Sequence, residues 1–80
     1  MLFRSRSLAP EVRVNAVAPG SVDSSWAIEW SKERHDATIA ATPLKRLSTP
    51  NEIAELIVYL GFAGRMITGH TVVIDGGISI

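Results

Sequence analysis

The sequence predicts an α/β fold organised around a βαβ unit, in which two parallel strands are joined through a helix. The segment VRVNAVA at residues 12–18 is rich in valine and has the length of a strand, and a second β-branched segment, TVVID, covers residues 71–75. Between them lies STPNEIAELIVYL, whose apolar residues recur at helical spacing. The order strand, helix, strand is typical of a parallel sheet with a crossover helix.

Composition narrows the possible classes of function. The 80 residues are enough for at most one domain, and 46% of them are hydrophobic, as expected of a folded chain. Eight basic residues balance eight acidic residues, so the charge does not indicate a nucleic-acid or membrane-surface partner. Cysteine is absent, and His35 and His70 lie far apart without a ligand pattern around them. We therefore expect no disulfide, no metal site and a cytoplasmic location.

We expect the end of a helix before the first strand. Residues 1–9 are consistent with the last turns of a helix, which Pro10 would terminate. The strand at 12–18 has apolar or small residues on both sides of its alternation, which is typical of a strand buried on both faces of a parallel sheet. Arg13 and Asn15 are the polar exceptions in this segment.

Residues 19–48 form a long excursion between regular elements. Thirty residues exceed what a simple connection in a compact domain needs, so the segment is expected to hold one or two short helices and a binding loop or lid. Trp26, Ile28 and Trp30 are either a small apolar satellite core or a mobile lid that excludes water from a substrate. The charged run at 32–36 is most simply a solvated helix face.

The clearest element is a helix predicted at residues 50–62. Thr49 is a suitable N-cap, Pro50 suits the first helical position, and Glu52 completes a capping box with Thr49. The apolar face consists of Ile53, Leu56, Ile57 and Leu60. Gly61 or Gly64 is expected to end the helix in the left-handed conformation.

The second strand, predicted at residues 71–75, is broken by Gly76 and Gly77. Asp75-Gly76-Gly77 is read as a turn rather than as an anion or metal loop. Two strands that are buried on both faces need helices above and below them and further strands beside them. The chain supplies one clear helix, so we expect either a fragment of a larger domain or a chain that relies on partner subunits.

Three motifs follow one another along the chain: RVNAVAPGSVDSSW, PLKRLSTPNEIAELIVYL and ITGHTVVIDGG. Together they resemble the C-terminal portion of the short-chain dehydrogenase/reductase family, and the resemblance covers nearly the whole chain from about residue 9. The resemblance implies the C-terminal βαβ part of a doubly wound Rossmann-type parallel sheet, incomplete in this chain, with NAD or NADP at the carboxyl ends of the strands. It also implies a substrate loop within residues 21–48, which would include Trp26, Ile28 and Trp30.

The resemblance assigns the cofactor contacts to the turn that follows the first strand. Pro19 and Gly20 would lie against the nicotinamide, with Gly20 allowing close approach because it has no Cβ. Val22 would offer its backbone groups to the carboxamide, and Ser24 would bond the carboxamide or the pyrophosphate. Without the resemblance, the residue types alone predict a strand-ending turn at Pro19-Gly20 and a helix N-cap at Ser24.

Two motifs of the family have no counterpart in this sequence. The glycine-rich phosphate turn is missing, and the single tyrosine, Tyr59, is followed four residues later by Ala63 rather than by lysine. We therefore expect no catalytic residue in this chain and no activity from it alone. The intact enzyme would transfer hydride between nicotinamide and a carbonyl or alcohol substrate, as a homo-oligomer assembled through residues 50–62 and 71–77. The alternative is a non-catalytic interaction module that docks through its last helix and strand.

Overall fold

The computed structural model of the chain describes residues 3–24 and 29–80. In chain order the elements are helix α1 (Phe3–Leu8), strand β1 (Ala16–Pro19), helix α2 (Lys32–Ala41), helix α3 (Pro50–Phe62) and strand β2 (Thr71–Ile74). None of the helices in these two ranges has the length and apolar character needed to cross a bilayer.

Strands β1 and β2 pair in parallel, with Ala16 opposite Thr71 and Pro19 opposite Ile74. The predicted parallel arrangement of the two strands is therefore confirmed. A parallel pair requires a long connection that returns the chain to the same end of the sheet, and α2 and α3 lie within that connection. As a result both strands end at the same edge, where Pro19 and Ile74 face each other.

Strand β1 begins at Ala16, four residues later than its valine-rich pattern indicates. The predicted start at residue 12 is wrong because residues 12–15 lie beside a loop rather than beside a strand. Val14 N donates to the Thr68 hydroxyl over 3.1 Å, and Val14 O accepts from Gly69 N over 2.8 Å. Because Val14 N bonds the Thr68 hydroxyl and not a backbone carbonyl, the regular hydrogen bonding between β1 and β2 does not extend to Val14. Strand β2 ends at Ile74, one residue before the predicted end.

The two polar residues of the predicted first strand hold the loop that connects α3 to β2. Arg13 donates to carbonyl oxygens at the end of the helix and beyond it, those of Gly61 (3.2 Å), Gly64 (2.9 Å) and Ile67 (3.0 Å). Asn15 donates to Ile67 O over 2.9 Å and accepts from His70 N over 3.1 Å. A cation near the last carbonyls of a helix also complements the helix dipole. Arg13 and Asn15 thereby set the point at which β2 begins.

Helix α3 has the capping box that the sequence predicts. The Thr49 hydroxyl accepts from Glu52 N over 3.2 Å, while Glu52 Oε1 accepts from Thr49 N over 2.9 Å. The predicted left-handed glycine at its C-terminus is wrong, because neither Gly61 nor Gly64 has a positive φ. Gly64 lies against the Ile67 side chain, whose Cδ1 atom would have to move to admit a Cβ at this position.

The chain leaves much of its apolar surface uncovered. Leu47 and Leu60 form the buried hydrophobic core of the described residues. The accessible surface is 6103 Å², whereas a compact monomer of 8.6 kDa exposes about 4,700 Å². Exposed apolar side chains on α3 and β2 include Ile57, Val58, Tyr59, Phe62 and Val73. This surface is what an incomplete sheet would leave, in agreement with the expectation from chain length.

Candidate functional site

Residues 20–24, which we call the turn, follow β1 at the edge where both strands end. Pro19 itself is the last residue of β1, so the predicted end of the first strand at residue 18 is one residue early. Gly20 N donates to Ile74 O over 3.1 Å, which extends the pairing one residue past Pro19. Pro19 is exposed, whereas Gly20, Val22 and Ser24 are half-buried. The four residues assigned to cofactor binding thus lie close together at the carboxyl ends of the strands, which is where open α/β sheets bind ligands.

Gly20 has a structural role that does not involve a ligand. A Cβ at this position would lie 2.7 Å from Asp75 Cβ and 3.0 Å from Asp75 Cα. Carbon atoms in contact normally stay about 3.5–4.0 Å apart. Gly20 does not have a positive φ, so its importance here comes from the close approach of two backbone segments. The packing against Asp75 by itself favours glycine at this position.

A second segment holds the turn from the other side. Ser48, which directly precedes the N-cap of α3, pairs in parallel with Val22. Ser48 N donates to Ser21 O over 3.2 Å, and Ser48 O accepts from Asp23 N over 2.7 Å. The turn is therefore bonded both to β2 and to the segment that leads into α3.

This pairing directs the backbone N–H and C=O groups of Val22 away from Ser48. Successive backbone groups of an extended segment point in opposite directions. Because the groups of Ser21 and Asp23 are bonded to Ser48, the N–H and C=O of Val22 itself point away from it. An adjacent donor and acceptor can bind an amide, which presents one acceptor and two donors. The turn is thus chemically suited to a carboxamide.

The structure describes one of the three residues assigned to the substrate loop. Trp26 and Ile28, two of the three residues assigned to the substrate loop, lie outside the described residues. The third, Trp30, is half-buried just before α2. The Arg34 guanidinium lies over its ring at 4.0 Å from the centroid, and the His35 ring lies at 5.3 Å. Trp30 therefore packs on the first turn of α2.

The end of β2 forms the turn that the Asp75-Gly76-Gly77 sequence predicts. The Asp75 carboxylate accepts from Gly77 N over 2.9 Å and from Ser79 N over 3.2 Å, which is the behaviour of a turn-forming aspartate. Hydrogen bonds from Ser79 and from the Gly77 backbone lower the pKa of Asp75. Gly76 and Gly77 have φ of 65° and 92°. Among the described residues, no cluster of histidine and carboxylate side chains is suited to bind a metal.

An ion pair lies next to the segment that holds the turn. Arg46 and Glu52 form two parallel hydrogen bonds, Nη1 to Oε1 at 2.7 Å and Nη2 to Oε2 at 2.6 Å. The hydrogen bonds from Arg46 and then from the Thr49 backbone lower the pKa of Glu52 to about 2. The sequence predicts Glu52 as a capping residue, whereas its ion pair with Arg46 was not predicted. The opposite charge of Arg46, six residues before Glu52, is the sequence signal for this pair.

Known proteins are similar to this chain over nearly its whole length. Residues 4–79 match a protein family described as enoyl-(acyl carrier protein) reductase. An uncharacterized oxidoreductase of Mycobacterium tuberculosis is 44% identical over 75 residues, which is 90% of this chain and 28% of that protein. An A-factor type γ-butyrolactone 1′-reductase of Streptomyces virginiae is 40% identical over 73 residues, 86% of this chain and 28% of that protein.

Solved structures show the same similarity. A short-chain dehydrogenase/reductase from Brucella melitensis, titled glucose/ribitol dehydrogenase, superposes with a TM-score of 0.88 at 45% identity, over 96% of this chain and 32% of its own. A 3-oxoacyl-[acyl-carrier protein] reductase with bound NAD, also from Brucella melitensis, superposes with a TM-score of 0.84 at 30% identity, over 96% of this chain and 28% of its own. The chain thus spans about a third or less of these proteins.

Proposed function

The chain belongs to the short-chain dehydrogenase/reductase family, and from that premise we propose that it supplies one half of a nicotinamide cofactor site. The intact enzyme would transfer hydride between NAD or NADP and a carbonyl or alcohol substrate. In this chain Pro19 and Gly20 would lie against the nicotinamide, Val22 would bind the carboxamide, and Ser24 would bond the carboxamide or the pyrophosphate. The bound cofactor would supply the hydride chemistry.

One observation carries this proposal: the backbone N–H and C=O of Val22 point away from Ser48 at the carboxyl edge of the sheet. Ser21 and Asp23 are both bonded to Ser48, so Val22 is presented in a fixed orientation. A donor and an acceptor fixed side by side match the carboxamide of nicotinamide. The adjacent half-buried Ser24 adds a hydroxyl that can donate or accept. The solved relative with bound NAD supports the choice of cofactor class.

Binding to this half-site is tested by titrating nicotinamide mononucleotide into the isotope-labelled chain and following backbone amide signals. We expect weak binding that shifts the amides of Gly20, Val22 and Ser24. Adenosine monophosphate serves as the control, because the proposed contacts are to the nicotinamide. Ser24→Ala should weaken the response without removing it. Equal shifts with both nucleotides, or shifts confined to other residues, would contradict the proposal.

The chain alone should be inactive, because it lacks the tyrosine and lysine pair that the family resemblance assigns to proton transfer. Tyr59 is half exposed on α3, and Ala63 stands four residues after it. Incubation of the purified chain with NADH or NADPH and a panel of carbonyl compounds should give no cofactor oxidation. Sustained turnover with any of them would show that the expectation of inactivity is wrong.

A second candidate function is a non-catalytic module that docks onto another subunit. The exposed apolar side chains of α3 and β2 favour it, above all Phe62, which is 85% exposed. Homo-oligomerisation through residues 50–62 and 71–77 would cover them, in the intact enzyme or in this chain. Sedimentation should then show association that Phe62→Asp reduces and Met66→Asp, an exposed residue outside both elements, leaves unchanged. A monomer with sharp, dispersed amide signals would argue against docking.

A further inference from the structure

We propose that Arg46 and Glu52 are positioning residues for the proposed nicotinamide turn, and that they act through the two peptide groups on either side of Ser48. The inference rests on the proposed function only in the role given to the turn. The contacts themselves are independent of any ligand. They concern one short segment, Leu47–Thr49, which we call the strap.

The first peptide group of the strap joins Leu47 to Ser48. Its carbonyl oxygen accepts from Arg46 Nη1 over 3.2 Å. Its N–H, on Ser48, donates to Ser21 O in the turn over 3.2 Å. A cationic donor on the oxygen of a peptide group draws electron density toward it, so the N–H of the same group becomes a stronger donor.

The second peptide group joins Ser48 to Thr49. Here the charged side chain bonds the N–H, and the carbonyl oxygen bonds the turn. Its N–H, on Thr49, donates to Glu52 Oε1 over 2.9 Å. Its carbonyl oxygen, on Ser48, accepts from Asp23 N in the turn over 2.7 Å, the shorter of the two bonds between strap and turn. A carboxylate on the N–H makes the oxygen of the same group a stronger acceptor.

The ion pair therefore places a positive group behind the donor and a negative group behind the acceptor that hold the turn. Arg46 and Glu52 are themselves joined by two hydrogen bonds, so the two polarising groups keep a fixed separation. Val22 lies between the two bonded residues of the turn and takes its orientation from them. A capping box alone would need only Thr49 and Glu52, and it does not account for Arg46.

The test is amide hydrogen exchange on the full chain, with Glu52→Gln and the matched control Glu55→Gln. Glutamine keeps a side-chain carbonyl for the capping box but removes the charge. We expect the Asp23 and Ser48 amides of Glu52→Gln to exchange faster, on the order of fivefold, as for a weakened hydrogen bond. The Ala16 amide, which bonds His70 O in the sheet, should be unchanged. Glu55→Gln, on an exposed part of α3, should match the wild type at all three amides.

A second pair of variants keeps the test decisive if Glu52→Gln does not fold. Arg46→Met leaves the capping box intact and should accelerate exchange at the same two amides, whereas Arg46→Lys, which retains the charge, should restore part of the protection. Exchange at Asp23 and Ser48 that is unaffected by losing either charge would overturn the proposal. Equal acceleration at all amides would also overturn it, because that result indicates general destabilisation. Neither result depends on nicotinamide binding, so failure here is distinguishable from failure of the cofactor proposal.

Discussion

Replacing Gly20 with alanine should destabilise the fold in the absence of any ligand. The added methyl carbon would lie 2.7 Å from Asp75 Cβ. Restoring ordinary carbon contact of about 3.5 Å requires the two backbone segments to separate by roughly 0.8 Å. The hydrogen bond from Gly20 N to Ile74 O, 3.1 Å long, would then stretch beyond the usual limit for such bonds.

The expected cost follows from these two effects. Overpacking of a close contact costs about 1–3 kcal/mol, and a lost backbone hydrogen bond costs about 1 kcal/mol. Because the same displacement causes both, we expect about 1–3 kcal/mol in total rather than their sum. For a chain of this length each kcal/mol corresponds to a shift of about 4–8 °C in Tm.

Gly61→Ala is the matched control for this substitution. Gly61 lies in the last turn of α3, and an added Cβ there meets nothing within 4 Å. Alanine in a helix is favoured over glycine by up to about 1 kcal/mol, so Gly61→Ala should raise Tm by a few degrees. The Tm of both variants and of the wild type is measured by circular dichroism during thermal unfolding. Trimethylamine N-oxide is added because it favours the compact state. Unchanged or raised stability of Gly20→Ala would refute the packing explanation, as would an equal loss in Gly61→Ala.

Three further predictions concern the polar contacts. Asn15→Leu, of similar size, should lower the free energy of unfolding by about 1–3 kcal/mol in urea denaturation, because Ile67 O and His70 N lose their hydrogen bonds to Asn15; an unchanged free energy of unfolding would show that Asn15 does not hold the loop between α3 and β2. Arg13→Met should lower the free energy of unfolding by about 1.5–3 kcal/mol in the same assay, because the carbonyls of Gly61, Gly64 and Ile67 lose a charged donor; an unchanged free energy of unfolding would contradict this. Since the pKa of Glu52 falls to about 2 on folding, its contribution to stability is complete above its unfolded pKa of about 4.3. It should decrease between about pH 5 and pH 2, and an acid titration of Tm should show less of this decrease in Glu52→Gln than in Glu55→Gln.

Much of the local structure is determined by residues that are near each other in sequence. The capping box joins Thr49 and Glu52, three positions apart, and Asp75 bonds the amides of Gly77 and Ser79. Such contacts form whenever the local backbone takes the shape that the residues favour. The order of strand and helix segments likewise predicts a parallel pair, because the long connection returns the chain to the same edge.

Other features depend on segments that are distant in sequence, and the pattern of residues could not predict them. Strand β1 begins at Ala16 because the loop beside residues 12–15 offers the Thr68 hydroxyl where a strand would offer a carbonyl. Arg13 and Asn15 appeared only as polar exceptions in an apolar segment, yet they hold carbonyls and an amide about 50 residues away. Their partners are backbone groups, which every residue type carries, so residue type alone could not identify them.

The turn after β1 also combines features that local sequence predicts with features that depend on distant segments. Its place after an apolar segment was sufficient to predict the end of a strand near Pro19-Gly20 at the edge of a sheet, and family resemblance suggested a ligand there. Only the tertiary structure shows that Gly20 lies against Asp75 and that Ser48 fixes both neighbours of Val22. Local sequence determines which conformations a segment favours, whereas the spacing between two segments depends on the packing of everything between them.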